Sequence, residues 1–363
     1  MRSNERIGID ARLLYQTGIG VYLRNLIYYL SKKTLEGVTF VVFARPTDIV
    51  RFLSENPHIK TQSSCVFESS SVMWHSFGEQ TKFLAQVTLA RLDLMHFPYF
   101  SWPVLYTGKF VATIHDITPL RIKTGNLSTR GLFLYGLKHA AFRFAFWQQI
   151  ARAVYVMTPT HAVARELGGK KKIIVTPEGL SFEFLQAQAE EVPTARPYLL
   201  YVGNFYPHKN VHTLIQAWNE LKTGDAELIM AGPDNSFARK LRALTREIPG
   251  IRYVLGATTG KLKYLYQHAL ALVNPSQSEG FGLPLVEAMS FGCPLILSDI
   301  PVFQEVAGAQ GNYFRITDTE ALKTLIKKAI ARELVQTKLD RETFSFEKMT
   351  NQALAVYKNA LYE

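Results

Sequence analysis

Residues 269–299 read ALALVNPSQSEGFGLPLVEAMSFGCPLILSD. A short apolar run, ALALV, breaks into the polar NPSQS. A turn punctuated by Gly280, Gly282 and Pro284 follows, and a helix opens near Pro284 or Leu285 before a second apolar run, PLILSD at 294–299. Strand, turn, helix and strand in that order make one βαβ unit, which implies a parallel sheet covered by helices. The unit also carries two acids, Glu279 at the end of the first strand and Glu287 on the helix. Residue types alone leave two readings open. Glu279 could cap the turn while Glu287 is solvated, or both acids and the glycine-turn amides could converge on a polar ligand.

The same alternation extends in both directions. Upstream lie YLLYVG (198–203), ELIMAGP (227–233) and YVLG (253–256), with a helix from Val211 that places Val211, Leu214, Ile215 and Trp218 on one face. Before these, RIGID (6–10), TFVVF (39–43), DLMHF (93–97), KFVATIH (109–115), AVYVM (153–157) and KIIVT (172–176) read as strands of another sheet. The polar LQAQAEEVPTARP (185–197) separates the two sets. The expectation is α/β: an N-terminal Rossmann-like domain over 1–185, a second over 198–343, and a C-terminal helix over 344–363. Ligands should bind at the carboxyl ends of strands that face a central cleft.

Bulk properties agree with two folded domains. The chain has 363 residues, 47% of them hydrophobic and 20% charged, long enough for two cores and without a disordered bias. A net charge of +11 suits polyanionic partners, but the basic residues form no stripe and no nucleic-acid motif accompanies them. Two distant cysteines, Cys65 and Cys293, fit a reduced cytoplasmic compartment and no zinc site. The N-terminal residues show no signal-peptide pattern, and no apolar run approaches the roughly 18 residues that would span a bilayer. Segment 128–147, STRGLFLYGLKHAAFRFAFW, interleaves aromatic and basic residues. It reads either as a helix packed on the first sheet or as a peripheral contact with an anionic membrane face.

Several other segments complete a pattern. IGIDARLLYQTGIGVYLRNL, DLMHFPYF, FVATIHDITPLR, TPTHAVAREL, LLYVGNFYPHKNVHTLIQAW and SEGFGLPLVEAM occur in this order. The set resembles the retaining GT-B glycosyltransferases of family 4, over essentially the whole chain. Its GIDAR and TGIG elements are similar to those of mannosyltransferases of surface-polysaccharide assembly. The resemblance implies a hexosyl transfer, with mannosyl the first expectation, from a GDP- or UDP-linked sugar to a hydroxyl of a glycan or lipid-linked acceptor. No cofactor and no obligatory metal are expected, since no DxD motif stands out.

The resemblance also implies roles for individual residues. Glu287 would bind the ribose hydroxyls. Glu279, with the amides of Gly280, Phe281 and Gly282 and with Leu283 at the helix start, would hold the transferred sugar. Lys209 would neutralise the departing diphosphate. The family usually carries an arginine near this lysine. This chain has Asn204 and His208 at the two places where it would stand, and His208 can act as a cation only when protonated. Gly18 and Gly20 would bring helix amides to a phosphate, and His115 would contact the donor sugar or the acceptor region. Retention is then expected through front-face attack, with the leaving phosphate taking the acceptor's proton. A sugar-nucleotide epimerase or hydrolase on the same architecture, or a non-catalytic transferase subunit, are the rival readings.

Overall fold

The computed structural model describes residues 5–33, 35–62, 64–121, 131–168 and 172–363. The opening MRSN and residues 128–130 of the aromatic and basic segment lie outside them. The chain divides into two compact units, one of Met1–Glu178 with Ser345–Glu363 and the other of Gly179–Phe344.

The first unit is built on seven strands: β1 (Glu5–Asp10), β2 (Val38–Ala44), β3 (Cys65–Ser69), β4 (Leu94–Phe97), β5 (Phe110–Thr113), β6 (Val156–Thr158) and β7 (Ile173–Val175). They lie in the order β3-β2-β1-β4-β5-β6-β7, and every pairing is parallel. The central strands are nearly continuous apolar runs because helices cover both faces of a parallel sheet. Helix α1 (Ile19–Ser31) follows β1, and helix α2 (Gly131–Arg152) precedes β6. On one face Phe146 and Ile150 of α2 pack with Phe43, Met95, Phe97 and Phe110.

The second unit opens with helix α3 (Phe182–Gln186) and has six parallel strands: β8 (Tyr198–Val202), β9 (Glu227–Gly232), β10 (Ile251–Leu255), β11 (Ala271–Asn274), β12 (Leu295–Ser298) and β13 (Gly311–Phe314). Their order is β10-β9-β8-β11-β12-β13. Helix α4 (Val211–Leu221) buries Val211, Leu214, Ile215 and Trp218 against Leu199, Tyr201, Leu228 and Met230. Helix α5 (Thr259–His268) precedes β11, and helix α6 (Leu283–Met289) leads towards β12.

The first unit ends at Glu178 rather than at residue 185 because α3 packs with the second unit. Phe184 meets the Tyr266 ring at 6.1 Å, and Lys263 Nζ donates to the carbonyls of Phe184 and Ala187 at 3.3 and 2.8 Å. Helix α7 (Phe346–Tyr362) belongs to the first unit. It buries Phe346, Met349, Ala353, Val356, Tyr357 and Ala360, a helical stripe, and its Tyr362 hydroxyl donates to Glu5 Oε1 at 3.1 Å. Among the described residues no helix is long and apolar enough to cross a membrane.

Both sheets change direction beside their first strand, between β1 and β4 in one unit and between β8 and β11 in the other. At such a point successive crossovers run to opposite faces, and the loops leaving the two strands part to leave a crevice. The chain therefore has the α/β GT-B fold, two Rossmann-like units each with its own switch point.

Candidate active site

The loops after β8 and β11 are joined. Beyond β8, Pro207–Lys209 form a single 3-10 turn, and Asn210 takes a left-handed conformation (φ 52°) that starts α4. The Gln277 amide donates to the His208 carbonyl at 2.8 Å, stitching the two loops together. Lys209 Nζ then reaches Glu279 Oε1 at 2.6 Å, with side chains 17% and 14% exposed. Ser276 Oγ lies 2.9 Å from the same carboxylate oxygen and 2.7 Å from Asn274 Oδ1. Two of the ammonium's three hydrogens are left over, and no protein donor reaches Glu279 Oε2 among the described residues. The pair can offer a ligand donors and an acceptor side by side.

Glu287 lies just over one turn into α6, the helix that follows this loop. Its Oε2 accepts from the Tyr266 hydroxyl of α5 at 2.7 Å. Burial pushes the carboxyl up to about 7, the tyrosine bond works against that rise, and the charge of Glu183 adds to it. Between the acids, Gly282 sits at φ 92°, where a β-carbon would meet Phe303 Cε1 at 3.2 Å. Its carbonyl accepts from the Leu285 amide at 2.8 Å. Leu283 is the first residue of α6, with Pro284 in the opening turn, where a missing N–H is harmless. Phe281 is buried against the Phe344 ring at 5.8 Å and 64°, which anchors the turn.

Asn204 and His208 stand at the two places where the resemblance would put an arginine. Asn204 accepts the Tyr201 hydroxyl with its backbone carbonyl, and the His208 ring stacks with Tyr206 at 5.9 Å.

In the first unit the sequence-derived residues behave differently from one another. The amides of Ile19, Gly20 and Val21 donate to the carbonyls of Thr17, Gln16 and Gly18 at 3.1, 2.9 and 2.9 Å, so the first turn of α1 satisfies itself. A β-carbon on Gly20 would stand 2.7 Å from the Leu14 carbonyl oxygen, which makes this glycine a packing requirement. Gly18 has φ 77° and open space where its β-carbon would be. His115 Nε2 faces the Pro98 carbonyl at 3.1 Å and must donate to it, while Nδ1 faces Glu178 Oε1 at 3.0 Å. Both ring nitrogens are thus engaged within the unit, and a sugar hydroxyl reaching this ring would have to displace one of them.

Sequence reasoning passed over the residues at the β1/β4 switch point. Arg12 is buried and donates to Asp10 Oδ2 at 2.7 Å and to Glu79 Oε1 at 2.6 Å, and Ser101 Oγ donates to the same glutamate oxygen at 2.6 Å. Trp74 and Tyr99 wall the small cavity in front of this cluster. Glu178 was also missed. The signal available was an acid directly before a glycine at the end of an apolar run, too common to single out.

The family model described as "Glycosyl transferases group 1" matches residues 183–345. An O-antigen chain mannosyltransferase of Salmonella typhimurium (RfbU) is 26% identical over 284 residues, covering 75% of this chain and 74% of its own. The O-antigen chain mannosyltransferase B of Escherichia coli is 32% identical over 212 residues, 52% of this chain and about half (54%) of its own. Among solved structures, sucrose-phosphate synthase of Thermosynechococcus elongatus superposes with a TM-score of 0.70 at 17% identity, over 98% of this chain and 99% of that one. Anabaena HepE, solved with UDP and glucose, gives 0.70 at 15% identity over 98% and 100%. The structural likenesses establish the fold, and the family model and sequence relatives support a glycosyltransferase.

Proposed function

We propose that the chain is a retaining glycosyltransferase that moves a hexosyl unit, mannosyl in the first instance, from a nucleotide sugar to a hydroxyl of a glycan or lipid-linked acceptor in polysaccharide biosynthesis. The observation that carries this reading is the Lys209–Glu279 pair at the β8/β11 switch point, with Glu287 on the following helix. The mannosyl assignment leans on the relatives, two of which are O-antigen chain mannosyltransferases.

In this reading each residue has one task. Lys209 takes up the negative charge that collects on the diphosphate as the sugar leaves. Glu279, its charge already shared with Lys209 and Ser276, holds a sugar hydroxyl through Oε2 rather than attacking the anomeric carbon. Glu287 accepts from the ribose hydroxyls. The bond from the anomeric carbon to the phosphate oxygen breaks, and its electron pair leaves with the diphosphate. The acceptor oxygen bonds to the same face of that carbon, and its proton passes to the departing phosphate oxygen. The residues named need no metal for these tasks.

Calorimetry against GDP-mannose, UDP-glucose and UDP-galactose, paired with a product assay with and without acceptor glycan, tests the reading. One donor should bind and turn over chiefly when acceptor is present. Turnover of the donor without acceptor at the same rate would instead support an epimerase or hydrolase, and binding of no nucleotide sugar would overturn the proposal.

A further inference from the structure

In the second unit one edge of the sheet lines a cavity. Strand β10 pairs with β9 alone, in a ladder that runs from the Leu228 amide on the Gly250 carbonyl at 2.8 Å to the Gly256 amide on the Gly232 carbonyl at 2.9 Å. Peptide groups alternate sides along a strand, so Tyr253 and Leu255 turn their N–H and C=O away from β9. Neither backbone meets a hydrogen-bond partner among the described residues. Along this edge lies a cavity of about 560 Å³, whose other walls are Glu191–Pro193, the helix Ser236–Leu244 and the first turn of α5. The linker is fixed in place by Arg252, which donates to the Pro193 carbonyl, and by the Glu190 amide, which donates to the Gly260 carbonyl at 3.0 Å. Neither tie pairs the linker's backbone with β10. The volume is that of a small-molecule site.

Charge identifies the class of ligand. Arg239, Arg242, Arg252 and Lys261 line the cavity against only two acids, Asp234 and Glu191. Asp234 Oδ1 already accepts from Arg239 Nε at 2.9 Å, which takes one pair out of the balance. The side chains of Arg242 and Lys261 make no hydrogen bond or ion pair among the described residues. Guanidinium forks match phosphate oxygens with paired donors, and an ammonium adds a point charge. The outward N–H and C=O groups of β10 suit the hydroxyls of whatever carries the phosphate. Lys209, Glu279, Tyr266 and Glu287 do not line this cavity.

We infer that the groove between β10 and the linker is a second ligand site, which takes a small phosphate ester with its phosphate on Arg242 and Lys261 and its hydroxyls on the strand edge. The inference goes beyond the transfer reaction and does not rest on it.

Calorimetry of the full chain with mannose 1-phosphate, inorganic pyrophosphate, citrate and free mannose tests the site. Both phosphates should bind at millimolar concentration or below, citrate more weakly, and free mannose not at all. Arg242→Gln with Lys261→Gln should weaken one binding component by about tenfold or more. Both side chains are exposed, so the melting temperature should stay unchanged. Lys209→Ala should leave the same component in place. Phosphate binding that the double variant keeps in full, or that Lys209→Ala alone abolishes, overturns the proposal, since the anion then sits in the crevice beside Lys209. Absence of phosphate binding, or equal affinity for citrate, also overturns it. So does an oligoglutamate peptide that binds more tightly than either phosphate, since the edge is then a place for an added strand. Turnover of nucleotide sugar is read in a separate assay, so failure here and failure of the transferase reading are told apart.

Discussion

Lys209 Nζ and Glu279 Oε1 are 2.6 Å apart, from loops that leave two neighbouring strands, and both side chains are largely shielded from water. A largely buried pair is costly to break from one side because the remaining charge loses its partner. Lys209→Ala should therefore lower both stability and turnover, and Lys209→Ala with Glu279→Gln should recover part of the stability without recovering turnover. A double-mutant cycle on denaturant unfolding should give a coupling of about 1–3 kcal/mol. For turnover, either single variant should cost about a hundredfold or more in kcat, read in the donor and acceptor assay on protein with a native circular dichroism spectrum. Unchanged turnover in both would remove the pair from the mechanism.

Glu287 makes stability and binding depend on pH in opposite ways. Its folded value of about 7 lies above the ordinary carboxyl value of 4.5, so between these the folded chain holds a proton that the unfolded chain has released. The contribution of this group is present in full below pH 4.5 and is lost as pH rises through about 7. Glu287→Gln should flatten that part of the melting-temperature profile of the ligand-free protein. Nucleotide affinity should rise with pH through the same window, because an ionised carboxylate accepts ribose hydrogens better, and the glutamine variant should lose that dependence.

Tyr266→Phe isolates the tyrosine's part in this. The hydroxyl stabilises the charged carboxylate of Glu287 at 2.7 Å, so its removal should move the pH midpoint of nucleotide binding upward. A midpoint that stayed in place would show that the hydroxyl plays no part in setting the carboxyl, and one that fell would show that it favours the protonated form.

His96 provides an acid-side counterpart in the first unit. It is fully buried between Thr113 Oγ1 at 2.8 Å and the Tyr357 hydroxyl of α7 at 2.7 Å, and burial lowers it to about 3 from an ordinary 6.5. The unfolded chain takes up a proton on this group that the folded chain refuses, so stability present above pH 6.5 is lost as pH falls towards 3. Tyr357→Phe should cost about 1–3 kcal/mol by leaving a buried ring nitrogen unsatisfied, measured by urea unfolding.

Two glycines of the TGIG turn should separate packing from access. Gly20→Ala drives a β-carbon onto the Leu14 carbonyl and should cost about 1–3 kcal/mol of stability. Gly18→Ala meets no atom and pays only for its left-handed backbone, about 1–2 kcal/mol. If a ligand passes over Gly18, its alanine variant should lose kcat/KM well beyond that stability change, and a proportionate loss would mark it as a turn glycine only.

Much of this protein is decided locally. Apolar runs such as FVVF and LIMA specify buried parallel strands on their own, and Val211, Leu214, Ile215 and Trp218 specify a helix face, because side-chain period and burial are properties of a few consecutive residues. Glycine spacing likewise marks the turn that holds Glu279 and Glu287. The edge strands β3 (CVFES) and β13 (GNYF) escape such reading: each pairs on one side only and is partly exposed, so neither needs an unbroken apolar run. What no local pattern contains is pairing across distance. The meeting of Lys209 with Glu279 and of Tyr266 with Glu287 in one unit, and of His115 with Glu178 and Arg12 with Glu79 in the other, depends on strand order and helix packing, which bring segments remote in sequence together within each unit. Tertiary structure alone therefore decides which acid is neutralised, which is raised towards neutrality, and which histidine has already spent both of its nitrogens.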